Sequence, residues 1–246
     1  MLTIDVISDV ICPWCFIGKR RLEKALAGHA ATIRWHPFQL NPDLPPEGIE
    51  RKAYRIRKFG SWERSQELDA QVSAAGRGDG IAFNFDRQAH TPNTLDAHRV
   101  IWLAGERGVQ DAVAEALFLA YFTDGRDLSD RNTLAEVATG AGLNGSEVDE
   151  LLVGDTGLDV VRAGEEQARH LGVSGVPFFI VNGKVALSGA QPPELFRQAF
   201  EQAGEAVVAG ESCEVDPATG KRKCRGVSLR DVSGPPVLDA ANDSPP

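Results

Sequence analysis

No stretch of this sequence approaches the roughly 20 consecutive apolar residues that a membrane-spanning helix requires. Its first residues, Met1-Leu2-Thr3-Ile4-Asp5-Val6, lack the basic start and apolar core of a secretory signal and read instead as a strand that begins almost at once. A cytoplasmic address is therefore expected, where thiols are kept mostly reduced. Cations are in short supply: 26 Lys and Arg stand against 35 Asp and Glu, a formal net charge of −9 at pH 7. That balance repels phosphate backbones, so neither a nucleic-acid nor a membrane partner is expected. Cysteine is scarce as well. Four cysteines in 246 residues are too few for a disulfide scaffold, and a hydrophobic content of 42% suffices for a sizeable core without one.

The four cysteines fall in two pairs at opposite ends of the chain, Cys12/Cys15 and Cys213/Cys224. Paired cysteines in a cytosolic setting point to redox catalysis or metal binding rather than stapling. The chain around the first pair reads as strand, helix, strand. Leu2 to Ile7 is a nearly continuous apolar run, and Cys12 to Ala27 carries Ile17, Leu22, Ala25 and Leu26 on one helical face. Thr32 to Leu40 is a second strand, ended by Asn41-Pro42. Some 40 residues hold the three elements, the size of a βαβ unit with parallel strands.

From about residue 50 to 171 helical patterns dominate and strand signals are scarce. Helices are expected over Trp62–Ala75, Asn93–Arg107, Val109–Phe122 and Gly157–Leu171, with two shorter ones capped by Ser129 and Ser146, the latter with Asp149 as an approximate capping box. Strand character returns at Pro177-Phe178-Phe179-Ile180-Val181. Asn182-Gly183 then supplies a two-residue hairpin turn, and Pro192-Pro193 opens a last helix with Leu195, Phe196, Ala199 and Phe200 inside. The order βαβ, helical block, ββα implies an α/β fold, a small four-stranded mixed sheet flanked by helices and interrupted by a large helical insertion. The expected domains are residues 1–48 with 172–206, an insertion over 49–171, and a C-terminal extension over 207–246 with a polar, Pro/Gly-rich tail.

A Cys-x-x-Cys pair at a helix start has a specific chemistry. The unpaired N–H groups and dipole of the helix end favour a thiolate on the first cysteine. Cys12 is the expected exposed nucleophile, and Cys15, one turn further in, the thiol that resolves the mixed disulfide. Pro13 suits the first helical turn because its missing N–H costs nothing there. The competing reading is half a zinc site. It wants a second close pair, and Cys213 and Cys224, ten residues apart, are poorly spaced for that, so no metal is expected.

Cys12-Pro13-Trp14-Cys15-Phe16-Ile17-Gly18 after an N-terminal strand resembles the DsbA-like thioredoxin superfamily, and more closely its FrnE-type branch. Asn93-Thr94-Leu95-Asp96-Ala97-His98-Arg99 resembles a helix start of that branch, and Gly172-Val173-Ser174-Gly175-Val176-Pro177-Phe178-Phe179 its cis-proline loop. The match covers about residues 2 to 204. The resemblance implies a cis Val176–Pro177 bond, with Val176 offering its backbone to a substrate strand, and a helical block that overhangs the site. It also implies protein thiols and disulfides as partners and no tightly bound cofactor, with glutathione or a thioredoxin-type protein as a candidate electron donor. Monomer and homodimer both stay open.

The sequence departs from the family in two places. Thioredoxins carry a buried acid six residues before the first cysteine, where Val6 stands here; Asp5 and Asp9 are the nearby candidates to take a proton from Cys15, and Asp9 reads equally as a turn residue. Strongly oxidising members have His where Trp14 stands, so a potential closer to that of isomerases or reductases is implied. Trp14 is expected to form an exposed docking surface and Phe16 a packed ring. Asn93 reads as a helix cap and His98 as a packed or surface helix residue, with either able to line the substrate groove. Cys213 and Cys224 read as a tail staple, as free thiols, or as an auxiliary redox pair relaying electrons to the motif.

The leading expectation is a disulfide oxidoreductase or isomerase. A second class is a glutathione-dependent isomerase of a small aromatic substrate, akin to 2-hydroxychromene-2-carboxylate isomerases and kappa-type glutathione transferases. Those enzymes typically carry Ser at the position of Cys12 and lack the second cysteine. A non-enzymatic holdase or zinc module is the third.

Overall fold

A computed structural model of the chain describes residues 1–208, 214–215 and 222–223. Cys213 and Cys224, with most of the C-terminal extension, lie outside the described residues. Strand β1 (Leu2–Ser8) runs parallel to β2 (Ala31–Pro37), joined by helix α1 (Pro13–Ala25). Late in the chain β5 (Phe178–Val181) pairs antiparallel with both β1 and β6 (Val185–Ser188), giving a four-stranded sheet in the order β2-β1-β5-β6. The β5–β6 turn is built as the sequence suggests: Asn182 and Gly183 both take positive φ, 51° and 65°, which a two-residue hairpin requires. The Asn182 side chain accepts from Thr3 N–H, and its own N–H donates to the Thr3 carbonyl, which fixes the turn against β1.

Between β2 and β5 lie the short strand β3 (Ile49–Glu50), helices α2 (Arg51–Phe59) and α3 (Trp62–Gly78), strand β4 (His90–Thr91), and helices α4 (Leu95–Glu106), α5 (Gln110–Phe122), α6 (Arg131–Gly140), α7 (Gly145–Val153) and α8 (Leu158–His170). A final helix, α9 (Pro193–Val208), follows β6. A further pair, β7 (Glu214–Val215) and β8 (Arg222–Lys223), is antiparallel.

Three local expectations are corrected. The caps of α6 and α7 are Asp130 and Asn144, each accepting from two backbone N–H groups, not Ser129 and Ser146. Ser129 instead bonds Asp127 and the Glu47 carbonyl, and Ser146 sits inside α7, bonding back to Asn144. Helix α2, absent from the sequence reading, exists because Glu50 caps it and Asp69 of α3 holds both Arg51 and Arg55 at 2.7 Å. Asn93 does act as a helix-start acceptor, for Leu95 N–H at 2.9 Å, although Thr94 is the residue that immediately precedes the helix.

The buried side chains of the sheet region and of the helical block form one continuous cluster. Its centre is aromatic: Phe16 of α1 stacks on Phe118 of α5 with centroids 5.2 Å apart, and Phe83 meets Phe16 edge-on at 6.1 Å. Buried Lys19 of α1 faces Glu23, Asp111 and Glu115, and Arg20 pairs with Glu115, so ion pairs also join α1 to α5. At the outer edge of the sheet, Gln110 at the start of α5 bonds the backbone of Trp35, accepting from its N–H and donating to its carbonyl.

Candidate active site

Cys12 is the residue immediately before α1 and Pro13 the first within it. No acidic side chain occupies the first turn and Lys24 lies in the last, so nothing offsets the positive end of the helix dipole at Cys12. Cys12 N–H donates to the Asp9 carbonyl at 3.0 Å, and Cys15 N–H donates to the Cys12 carbonyl at 3.0 Å; the two thiols lie within hydrogen-bonding reach of one another. Both are free thiols. The Val176–Pro177 peptide is cis, and the Cys12 thiol donates to the Val176 carbonyl at 3.5 Å.

The loop bearing Val176 and Pro177 is held close by two features. Gly189 N–H donates to the Pro177 carbonyl at 2.8 Å. Gly18, one turn beyond the motif, lets α1 approach so closely that a Cβ there would lie 2.9 Å from the Phe179 ring and 3.2 Å from the Pro177 ring. A glycine inside a helix costs about 1 kcal/mol relative to alanine, so its presence there is a sequence signal for this contact.

The expectation of an exposed Cys12 is corrected. Its relative exposure is 3%, and its thiol lies against the Val176 carbonyl of the loop. Trp14 is likewise half-buried against the core rather than an open surface, and its indole N–H has no partner. Cys15, 1% exposed, has its thiol pKa pushed well above the ordinary value, first by burial and then by the adjacent Cys12. The Ser8 hydroxyl and the Asp9 backbone N–H act against that by favouring its thiolate.

The two candidate acids separate cleanly. Asp5 is taken up by cations of β2, where Arg34 and His36 each approach it to 2.8 Å. Asp9 is fully buried; one carboxylate oxygen accepts from Leu40 N–H at 2.8 Å, and the other faces His98 Nε2 at 3.4 Å. His98 is therefore not a wall of an open groove. Asn93 lies a step away: its side chain accepts from the Gln39 amide and donates to the Leu44 carbonyl, clamping the segment after β2 onto the start of α4. Glu165 of α8 holds the same segment through Gln39 N–H. Cys12, Cys15, Val176 and Pro177 are thus brought together with Asp9, Ser8 and His98, while Asn93 serves the scaffold. Among the described residues no three His, Cys, Asp or Glu side chains gather as a metal site.

The family model for the DSBA-like thioredoxin domain matches residues 3–201. The chain belongs to that family. The same DSBA-like domain is 33% identical in sequence to the probable DsbA oxidoreductase SCO1869 of Streptomyces coelicolor, with a TM-score of 0.78 over 93% of this chain and 100% of that one. It is 28% identical to YwbO of Bacillus subtilis (strain 168) over 202 residues, 80% of this chain and 94% of YwbO. A 2-hydroxychromene-2-carboxylate isomerase shares the fold, with 16% identity and a TM-score of 0.65 over 85% of this chain and 100% of the isomerase.

Proposed function

We propose that this DSBA-like domain is a thiol–disulfide oxidoreductase or isomerase that acts on protein disulfides, within the FrnE-type branch. Cys12 attacks a substrate disulfide and Cys15 resolves the mixed disulfide so formed. In the reducing direction, the Cys12 thiolate displaces one substrate sulfur and bonds the other. Cys15, losing its proton, then attacks the Cys12 sulfur, releases the second substrate thiol and leaves a Cys12–Cys15 disulfide. Two electrons pass to the substrate, and a small thiol such as glutathione, or a thioredoxin-type protein, restores the pair. The backbone of Val176 offers a substrate strand its hydrogen-bonding groups beside the sulfur.

The observation that carries this reading is the contact of the Cys12 thiol with the Val176 carbonyl at the foot of an uncompensated helix dipole. Likeness in fold to the isomerase favours the second reading, a glutathione-dependent isomerase of a small aromatic substrate. The presence of both thiols one helical turn apart supports the first. No helix among the described residues is long and apolar enough to cross a membrane, and a cytoplasmic site of action is part of the proposal.

Insulin reduction driven by dithiothreitol tests it. The parent is expected to precipitate insulin chains well ahead of the uncatalysed reaction, and Cys12→Ser to lose the effect. An inactive parent that instead isomerises an aromatic substrate with glutathione overturns the assignment.

A further inference from the structure

Helix α2 has a composition that the fold does not account for. Five of its nine residues are Lys or Arg and none is acidic, in a chain where 35 Asp and Glu outnumber 26 Lys and Arg. Two of the five serve the scaffold: Arg51 and Arg55 both pair with Asp69 of α3 at 2.7 Å. The other three, Lys52, Arg57 and Lys58, meet no carboxylate at ion-pairing distance among the described residues. Of the acids close in sequence, Glu50 accepts from Ala53 N–H at the helix start and Glu67 pairs with Arg64. Like charges three and four residues apart on a helix repel one another, so this run carries a local cost.

The outward side of α2 is more than a solvated face. Lys52, Ala53, Ile56 and Arg57 are all exposed. Ile56, 38% exposed, sits one turn after Lys52 and beside Arg57, so a large apolar side chain is open to solvent among cations. The cations are also held in place. Lys52 Nζ lies 5.6 Å from the centre of the Trp62 ring, and Lys58 Nζ donates to Tyr54 Oη at 2.8 Å. An anionic ligand that meets ordered side chains freezes out less motion on binding. A run of bonds ties the helix to the thiols. Tyr54 Oη donates to Asn41 Oδ1 at 2.5 Å. Next to Asn41, Leu40 N–H donates to the Asp9 carboxylate, and the Asp9 carbonyl accepts from Cys12 N–H.

We propose that the outward face of α2 is a docking surface for an acidic segment of the protein whose disulfide Cys12 attacks, with Lys52, Arg57 and Lys58 as its anion contacts and Ile56 as its apolar centre. This rests on the thiol–disulfide reading above. A protein segment fits the surface better than a nucleic acid does. Screening confines the field of the patch to about 8 Å at physiological salt, so a short acidic stretch responds to α2 alone. A nucleic acid carries charge along its whole length and meets the net charge of −9 as well.

Two disulfide-bonded peptides of one sequence test this. One is continued by a run of about eight Asp and Glu, roughly 26 Å when extended, and the other by an equal run of Gly and Ser. Their dithiothreitol-driven reduction gives kcat and KM, and the anisotropy of fluorescein-labelled forms gives Kd. Lys52→Glu/Arg57→Glu is compared with Arg162→Glu/Lys184→Glu, which changes net charge equally at exposed positions on other elements. Near-UV circular dichroism checks folding, and Lys52→Gln/Arg57→Gln replaces the first variant if charge reversal disturbs it. Surface ion pairs are individually weak, so the parent should favour the acidic peptide by about fivefold at low ionic strength, chiefly through KM, and lose that preference in high salt. The α2 variant should treat both peptides alike, while the control variant keeps the preference. A parent without preference overturns the proposal, and so does equal loss in both variants, the mark of a response to net charge alone. Tighter binding of a fluorescent oligouridylate than of the acidic peptide, abolished in the α2 variant, overturns it in favour of a nucleic-acid surface. A parent that binds the acidic peptide through α2 but reduces neither peptide, nor bis(2-hydroxyethyl) disulfide, keeps the docking surface and sinks the thiol–disulfide reading. One that reduces and binds both peptides equally does the reverse.

Discussion

At the scale of single residues, the site depends on which atoms are allowed to come close. Gly18 is the clearest case. Any side chain there must push aside the rings of Phe179 and Pro177, both in a close-packed interior. Gly18→Ala is expected to lower stability by about 1–3 kcal/mol, the usual cost of overpacking, and to reduce catalysis by more than its helix propensity would suggest. Urea unfolding together with insulin reduction measures both. Cys15→Ser removes the resolving thiol and leaves Cys12 in place. It should trap covalent complexes with substrate proteins that survive non-reducing gels and vanish with dithiothreitol; a variant with parental turnover contradicts the role given to Cys15.

Much of this residue-level picture is legible in the sequence, and the rest is not, for a physical reason. Cys12, Cys15 and Pro13 declare themselves by local spacing, and Pro177 by its motif. The burial of Cys12 depends on a loop 164 residues away, so no local pattern announces it. His98 reads as an ordinary helix residue because its meaning lies in facing Asp9, a partner from another part of the chain. Ser8 lies one residue past the expected strand, Leu2 to Ile7, and the sequence assigns it no role.

At the scale of elements, α1 is tied down along its length. Its aromatic Phe16 enters the stack with Phe118, its Lys19 and Arg20 meet acids of α5, and its Arg21 and Lys24 both grip Asp79 at 2.7 Å beyond α3. The side chain of Asp79 is 8% exposed, and although burial pushes the other way, these two cations hold its pKa below the ordinary value. A carboxylate with a lowered folded pKa stabilises above its unfolded value, and that stability disappears as pH falls toward and below it. Asp79→Asn should therefore cost about 1–3 kcal/mol near neutral pH, the range for charge-assisted hydrogen bonds, and the difference from the parent should shrink in acid. Urea titrations at neutral pH and near pH 3 give the comparison. Helix α2 shows where element reading fails. Arg51, Lys52, Arg55, Arg57 and Lys58 leave it no clean apolar stripe, and it is held by ion pairs to α3, information that hydrophobic periodicity does not contain.

At the scale of the whole molecule, the helical block is inserted in sequence but shares the core of the sheet region. The order of elements, βαβ then helices then ββα, is legible from the sequence because it follows hydrophobic period and turn chemistry. The shared core is a matter of tertiary packing and is not. Phe118→Ala, in the insertion, opens a cavity directly beneath Phe16 of the motif helix. It is expected to destabilise by about 3–5 kcal/mol, and far-UV and near-UV transitions should remain coincident. Two resolved transitions would show instead that the insertion unfolds by itself.

The bonds between Gln110 and the Trp35 backbone set how this protein can meet copies of itself. A side-chain amide there stands in for the strand that would otherwise dock beside β2, and helices α4, α5 and α8 crowd the same flank. Lateral growth of the sheet, whether by intermolecular strand addition or in the early stages of fibril formation, is thereby directed to the opposite margin, where β6 offers only four residues.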